Sequence, residues 1–151
     1  MTFSSKLLRA TALASLMLAA AVAGAQARDV NISVWAGGTG PNDTYRVDAI
    51  EIAADLLRRQ AAIAGDDLKI TVTKKVYNGW DDFKPAVTLA AQAGNSPNII
   101  VTGHEDIAPW AQAGLIVPIE NYVDLDSWPL SDVYPNLMEI ASYGGVVYGI
   151  P

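Results

Sequence analysis

The polar residues best suited to binding a small molecule follow a short apolar run near the middle of the chain. His104, Glu105 and Asp106 follow residues 98–102, which read Asn-Ile-Ile-Val-Thr, after a single glycine, Gly103. Ligands of open parallel sheets bind beyond the carboxyl ends of the strands, and a carboxylate there accepts hydrogen bonds from sugar hydroxyls. Alternatively, the two acidic residues only cap the helix that follows. The predicted ligand-binding residues at this strand end are Thr102, Gly103, His104 and Glu105.

A glycine-rich segment after the first predicted strand is a second candidate for ligand contact. Residues 37–41 read Gly-Gly-Thr-Gly-Pro, a composition that lets backbone N–H groups approach a ligand at a helix N-terminus. The segment lacks the third glycine of a dinucleotide-binding motif, and no G-K-[ST] follows, so nucleotide binding is not predicted. A tight turn between strand and helix explains the same residues equally well. The candidates here are Gly37, Gly38 and Thr39.

The chain contains four tryptophans, and Trp80 is the one placed for ligand contact. It follows the turn Asn78-Gly79 at the end of a predicted strand, where an indole ring offers an apolar face on which a sugar can stack. Trp110, flanked by apolar residues within a predicted helix, is expected in the core. Trp35 is out of phase with the apolar positions of its strand, so we expect it to face a helix layer.

Several classes of activity are excluded or unsupported by composition. Without cysteine there is no disulfide, no thiolate metal site and no cysteine nucleophile. His104 is the only histidine, and neither G-x-S-x-G nor H-E-x-x-H is present. Asp124 and Asp126 do not have the spacing of metal ligands. The sequence therefore predicts no catalytic residue, no metal site and no cofactor.

The N-terminal residues have the features of a secretory signal peptide. Lys6 and Arg9 precede an uncharged run rich in Ala and Leu, and Ala25-Gln26-Ala27 fits a signal peptidase site. Cleavage after Ala27 would remove only basic charges and leave all 16 acidic residues, which argues against nucleic acid and lipid surfaces as partners. We expect a periplasmic protein without a lipid anchor on an N-terminal cysteine.

Strands and helices alternate along the rest of the chain, which predicts an α/β fold of βαβ units with a parallel sheet and helices on both faces. Residues 68–76 alternate strictly and read as an edge strand, whereas the run 98–102 reads as a central strand buried on both faces. Asp81 or Asp82 is expected to cap a helix that has Pro85 in its first turn. Predicted strands are 30–35, 68–76 and 98–102, extended segments are 115–119 and 146–151, residues 124–129 form a loop, and helices are 42–64, 81–92, 105–113 and 134–143.

The order of these elements resembles that of the extracellular solute-binding proteins of carbohydrate ABC importers. The resemblance rests on a small-residue turn before Pro97, the apolar strand 98–102, and the phrases "QAGLIVPI" at 112–119 and "GGVVYGIP" at 144–151. In maltose-binding members, a His and a sugar-bonding Asp match His104 and Glu105. The resemblance thus implies the same binding frame, but a ligand other than maltose, since the aromatic and polar contacts of those members fall here on Thr102, Gly37, Thr39 and the neighbourhood of Gly40.

That family has two α/β lobes which close over a ligand. The resemblance implies a periplasmic-binding-protein-like first lobe at 28–151, a signal peptide at 1–27, and a second lobe missing from this chain. It further implies a monomer that is no enzyme and that delivers a sugar or sugar-like polyol to the permease subunits of an importer. Binding of a polyamine, a phosphorylated polyol or a metal chelate is the alternative. A secreted α/β enzyme with catalytic residues beyond Pro151 is a third hypothesis.

Overall fold

The computed structural model describes residues 27–38, 44–124 and 133–151. Within these ranges the chain divides into two compact units, one of residues 27–31 and 52–71 and the other of residues 32–51 and 72–151. Thr39, the signal segment before Ala27 and most of the predicted loop 124–129 lie outside the described residues. All other candidate ligand-binding residues belong to the second unit.

The elements alternate as the sequence predicts, with differences at their ends. None of the described helices has both the length and the apolar character needed to cross a membrane. The strands are β1 (Arg28–Gly38), β2 (Leu68–Asn78), β3 (Ile99–Val101), β4 (Ser142–Tyr143) and β5 (Val146–Val147), and the helices are α1 (Tyr45–Ile63), α2 (Trp80–Gln92), α3 (Ile107–Gln112) and α4 (Pro135–Ile140), with single 3-10 turns at His104–Asp106 and Ile119–Asn121.

The first three strands form one sheet in the order β2-β1-β3. β1 and β3 are parallel, with Val34 opposite Ile99 and Ala36 opposite Val101. β2 lies at the end of the described sheet, as predicted for an edge strand. The prediction that β3 is the central strand is wrong for the described residues, because β1 takes that position. A run of apolar residues indicates that both faces of a strand are covered by other elements. It does not indicate whether the strand pairs with a neighbouring strand on one side or on both.

Asn98 aligns the start of β3 with β1. Its side-chain oxygen accepts hydrogen bonds from the backbone N–H and the hydroxyl of Ser33, at 2.8 and 2.9 Å. In return, the backbone N–H of Asn98 donates to the carbonyl oxygen of Ser33 at 3.0 Å. These bonds set the register that places Thr102 level with the end of β1.

Helices cover both faces of the sheet. On one face, Val34 and Ala36 of β1 pack with Val47 of α1, and half-buried Ile99 and Val101 join them. On the other face, Phe83 and Val87 of α2 pack with Trp110 of α3, joined by Trp35 and Ile100. The core position of Trp110 and the helix-facing position of Trp35 are therefore confirmed. β3 is only half-buried, although apolar clusters contact both of its faces.

α2 begins earlier than predicted, and neither aspartate caps it. The residue before its first turn is Gly79, with φ at +120°, and no side chain caps the helix. Asp81 and Asp82 lie within the first turn, where their charge favours the positive end of the helix. Pro85 consequently falls beyond the first turn. The early start makes Trp80 the first helical residue, which holds its side chain on a regular backbone.

The predicted helix 134–143 is too long. α4 ends at Ile140, and Ser142–Tyr143 pairs with Val146–Val147 in an antiparallel hairpin. Gly144 and Gly145 have φ values of +61° and +82°, as a two-residue hairpin turn requires. Because of this glycine turn, the two residues before it pair as a strand with the two residues after it instead of continuing the helix.

Candidate functional site

The candidate residues come together at the carboxyl ends of β1 and β3. Because these strands are parallel, Gly37 and Gly38 at the end of β1 lie at the same sheet edge as Thr102 and Gly103, which follow β3. Trp80, at the start of α2, reaches this edge and contacts Gly37. Five of the predicted residues around β3 and α2 thus gather in one place with the two glycines. They are Trp80, Thr102, Gly103, His104 and Glu105.

Gly37 is the backbone surface against which Trp80 packs. A Cβ atom on Gly37 would lie 2.5 Å from Cε3 and Cζ3 of Trp80 and 2.6 Å from Cδ1 of Phe83. The Phe83 ring, which is completely buried, meets Trp80 edge-on with centroids 5.8 Å apart. Gly37 and Gly38 are themselves buried. The glycine is needed here for the close approach of two rings, which fixes the half-buried indole at the site.

An ion pair links α2 to the turn that follows β3. Nζ of Lys84 lies 2.7 Å from Oδ1 of Asp106. Asp106 is buried, with only 5% of its surface exposed. The hydroxyl of Thr102 donates to the other oxygen of the same carboxylate. Both oxygens of Asp106 are therefore engaged within the protein, as a buried carboxylate requires.

Glu105 is the exposed carboxylate of the cluster. Its Oε1 accepts a longer hydrogen bond from Nζ of Lys84 at 3.3 Å, and its side chain remains 54% exposed. The carboxylate folds back over Gly103, where any Cβ would collide with it. His104 is more exposed still, and its Nδ1 is 3.9 Å from Oε2 of Glu105. Glu105 can thus accept hydrogen bonds from a ligand, which Asp106 cannot.

The contacts of this cluster favour its charged forms. The pKa of Glu105 is lowered, first by a hydrogen bond from its own backbone N–H and then by Lys84. The pKa of Lys84 is raised, chiefly by its hydrogen bond to Asp106. At neutral pH the site presents a fixed ammonium group and an accessible carboxylate next to an indole ring.

Sequence reasoning missed Lys84. The available signal was its position four residues after Trp80 on the same helix, since side chains at i and i+4 lie on one face. The structure bears this spacing out, because Nζ of Lys84 is 5.8 Å from the centroid of the Trp80 ring. The partner of Lys84 could not be inferred, because Asp106 and Glu105 lie about twenty residues further along the chain.

The cluster contains hydrogen-bond donors, acceptors and an aromatic face, but neither serine nor cysteine among its residues. In the described part of the chain, no group of three or more His, Asp or Glu side chains is placed to hold a metal ion. An open cavity of about 660 Å³ lies elsewhere, between α4 and the β4–β5 hairpin, and includes no predicted site residue. The arrangement around Trp80 is suited to holding a polar solute.

In proteins with an open α/β sheet, ligands bind at the carboxyl ends of the strands, where this cluster lies. The model of the family described as bacterial extracellular solute-binding protein matches residues 60–151. The chain belongs to this family. It is also 32% identical over 76 residues to the maltotriose-binding protein of Pyrococcus abyssi (strain GE5 / Orsay), a match that covers 50% of this chain and 16% of that protein.

Solved structures share the fold at low sequence identity. An extracellular solute-binding protein family 1 member from Alicyclobacillus acidocaldarius superposes with a TM-score of 0.58 at 15% identity, covering 83% of this chain and 29% of that one. A Listeria monocytogenes ABC substrate-binding protein in complex with cycloalternan superposes with the same TM-score and identity, covering 82% of this chain and 29% of that one. A Thermotoga lettingae solute-binding protein bound with α-D-tagatose superposes with a TM-score of 0.57 at 20% identity, covering 81% of this chain and 28% of that one. The chain thus spans less than a third of the length of these relatives.

Proposed function

We propose that this chain forms part of the solute-binding component of an ABC importer and that the component captures a sugar or sugar-like polyol. The observation that carries the proposal is the cluster at the end of β3, where Trp80, Lys84 and Glu105 lie side by side. An aromatic face, a hydrogen-bond donor and an exposed carboxylate are the groups that recognise the apolar faces and the hydroxyls of a sugar. Family membership and the sugars named for two related structures and one relative support the same class of ligand.

The proposed roles follow from the contacts. The Trp80 ring stacks on the sugar, the Glu105 carboxylate accepts from its hydroxyls, and His104 is an exposed neighbour able to hydrogen-bond at the rim. Thr102 and Gly103 shape the turn that carries Glu105. Gly37 and Gly38 are proposed to contribute backbone groups at the end of β1, with Gly37 acting through its packing against Trp80. Thr39 stays a predicted ligand-binding residue.

The wider assignment belongs to the same proposal. Residues 1–27 act as a signal peptide, and residues 28–151 form the first of two lobes that close over the solute. The protein works as a periplasmic monomer without a lipid anchor, delivers its solute to permease subunits, and carries out no reaction on it. Mass spectrometry of the exported protein tests the first point: a mature N-terminus at Arg28 is expected, and an unprocessed N-terminus contradicts it.

A polyamine is the second candidate that the residues raise, since Glu105 and Asp106 are adjacent acids. In the structure, Nζ of Lys84 already lies between their carboxylates, at 3.3 and 2.7 Å. An internal ammonium in the position that a ligand ammonium would take favours a neutral polyol over a polyamine. A phosphorylated polyol is disfavoured because the cluster carries two negative charges, of Glu105 and Asp106, and a single lysine.

The experiment is calorimetric titration of the full-length protein with maltotriose, tagatose, glucose, glucosamine and glucuronate, and with putrescine, glycerol phosphate and ferric citrate as the competing classes. We expect saturable binding by at least one sugar. Trp80→Ala and Glu105→Ala should each weaken that binding at least about tenfold, whereas Glu120→Gln, on an exposed residue outside the cluster, should not. Binding of putrescine but of no sugar, or unchanged sugar affinity in both site variants, would refute the proposal.

A further inference from the structure

We propose that Lys84 is a ligand-binding and selectivity-determining residue which the buried carboxylate of Asp106 holds in position. We further infer that the excess of negative charge around it makes the site select neutral and amino sugars against sugar acids. This inference rests on the proposed function, since it concerns the same site. It adds a donor residue and a rule of selectivity to the aromatic and acidic groups described above.

The geometry gives Lys84 a defined position. An ammonium group has three N–H donors, and the contacts with Asp106 at 2.7 Å and Glu105 at 3.3 Å account for two of them. Its side chain is 34% exposed, so it remains accessible from the site. The ammonium also lies 5.8 Å from the centroid of the Trp80 ring. A sugar stacked on that ring would therefore bring a hydroxyl to the third donor.

Asp106 acts as a positioning residue. Its carboxylate is almost completely buried and is occupied by Lys84 and by the hydroxyl of Thr102. A buried carboxylate needs such partners, because removing one leaves an uncompensated charge in a poorly solvated place. The contact therefore restrains the flexible lysine side chain before the ligand arrives, which reduces the ordering that binding would otherwise require.

Lys84 and Glu105 then form a donor–acceptor pair. Two adjacent hydroxyls of a sugar can donate to the exposed Glu105 carboxylate and accept from the Lys84 ammonium. Hydrogen bonds with a charged partner are stronger than those between neutral groups. The pair suits polyols with neighbouring hydroxyls, and it does so without a net attraction for anions.

The charges set the selectivity. The cluster holds two carboxylates, of Glu105 and Asp106, against the one ammonium of Lys84. Asp81 and Asp82 in the first turn of α2 add further negative charge on the same helix. For unit charges about 5 Å apart in water, the Coulomb energy corresponds to about fourfold in affinity. Because the sign reverses between an acidic and an amino sugar, one added or removed charge changes the ratio of their affinities by the product of the two factors, about sixteenfold in water and nearer tenfold once salt screens the charges.

The experiment measures the dissociation constants of glucose, glucosamine and glucuronate for the full-length protein, three site variants and one control variant. Lys84→Met removes a positive charge and should raise the glucuronate-to-glucosamine ratio of dissociation constants about tenfold. Asp106→Asn removes a negative charge while keeping the shape, and should lower the ratio by a similar factor. The double variant Lys84→Met/Asp106→Asn restores the net charge without a buried unpaired carboxylate. Its ratio should return close to the wild-type value, while glucose binds more weakly because a donor is lost.

Opposite shifts in the two single variants support the inference, since damage to the fold would weaken all three sugars together and leave the ratio unchanged. Lys69→Met, at an exposed lysine of β2 outside the cluster, is the matched control and should leave both ratio and affinity unchanged. A ratio that stays within about twofold of wild type in both single variants, or a double variant that binds glucose like wild type, overturns the inference while the proposed function stands. Failure of the wild-type protein to bind any sugar refutes the proposed function, and this inference with it.

Discussion

Replacing Gly37 with alanine tests the packing that holds Trp80 at the end of β1. The new methyl group would stand 2.5 Å from two ring carbons of Trp80 and 2.6 Å from Cδ1 of Phe83. Phe83 is completely buried and packs against Val87 and Trp110, so it has little room to move. Trp80 is half-buried, and its ring is the part that can shift.

The magnitude follows from this overlap. Adding a methyl group to a packed interior typically lowers the free energy of unfolding by about 1–3 kcal/mol, and two ring contacts near 2.5 Å place Gly37→Ala toward the upper end of that range. Urea denaturation followed by circular dichroism measures the change. Gly149→Ala is the matched control, because its Cβ would meet only the side-chain end of Ile107, at 3.3 Å, and should have a smaller effect.

A double-mutant cycle separates the two rings. In a Trp80→Ala background the contact with the indole is gone, although the contact with Phe83 remains. Gly37→Ala should therefore be less destabilising there, by at least about 0.5 kcal/mol of coupling. In the wild-type background it should also weaken sugar binding if Trp80 stacks on the ligand as proposed, because the ring is displaced. Equal stability of Gly37→Ala and Gly149→Ala, together with unchanged sugar affinity, would refute this account of Gly37.

Two further predictions concern the core and the response to acid. Phe83→Ala should lower the free energy of unfolding by about 3–5 kcal/mol, since it removes a completely buried ring. The control is Leu89→Ala, at a residue of the same helix that is 65% exposed, and it should change the urea midpoint far less. Similar losses of stability in the two variants would contradict the burial of Phe83. The lowered pKa of Glu105 means that its charged form contributes stability above the ordinary value of 4.5 and that this contribution is lost as pH falls through the folded-state pKa. The difference in unfolding free energy between wild type and Glu105→Gln should therefore shrink as pH is lowered below about 4.5. A difference that does not change with pH would show that the charge of Glu105 does not contribute to stability.

Much of the fold could be predicted from local patterns. The alternation at residues 68–76, which belong to β2, depends on neighbours two positions apart, and this period of two is typical of a strand rather than a helix. The ends of the helices are predicted less accurately than the helices themselves. α2 starts at Trp80 because Gly79 adopts a positive φ, and α4 stops at Ile140 because the glycine pair forms a hairpin turn. Both glycine positions were visible, but glycine permits a conformation without requiring it.

The location of the candidate site was predictable for a similar reason. Polar residues directly after an apolar run, and glycines directly after a strand, must lie at a strand's carboxyl end once the sheet is parallel. The sequence by itself therefore determined the α/β class, the edge of the sheet that carries the candidate site, and the residue types available there, from the indole of Trp80 to the carboxylate of Glu105.

Only the tertiary structure decided which of those residues act together. The adjacent acids Glu105 and Asp106 look equivalent in sequence, yet one is buried and paired with Lys84 and Thr102 while the other remains exposed. The support that Gly37 gives to Trp80 is evident only once Trp80 and Phe83 are found against it. The contacts of Lys84 with Asp106 and of Gly37 with Trp80 and Phe83 join segments more than twenty residues apart. They depend on how α2 lies across the sheet, which is set by the packing of Phe83, Val87 and Trp110, and packing between distant segments leaves no periodic trace in the chain.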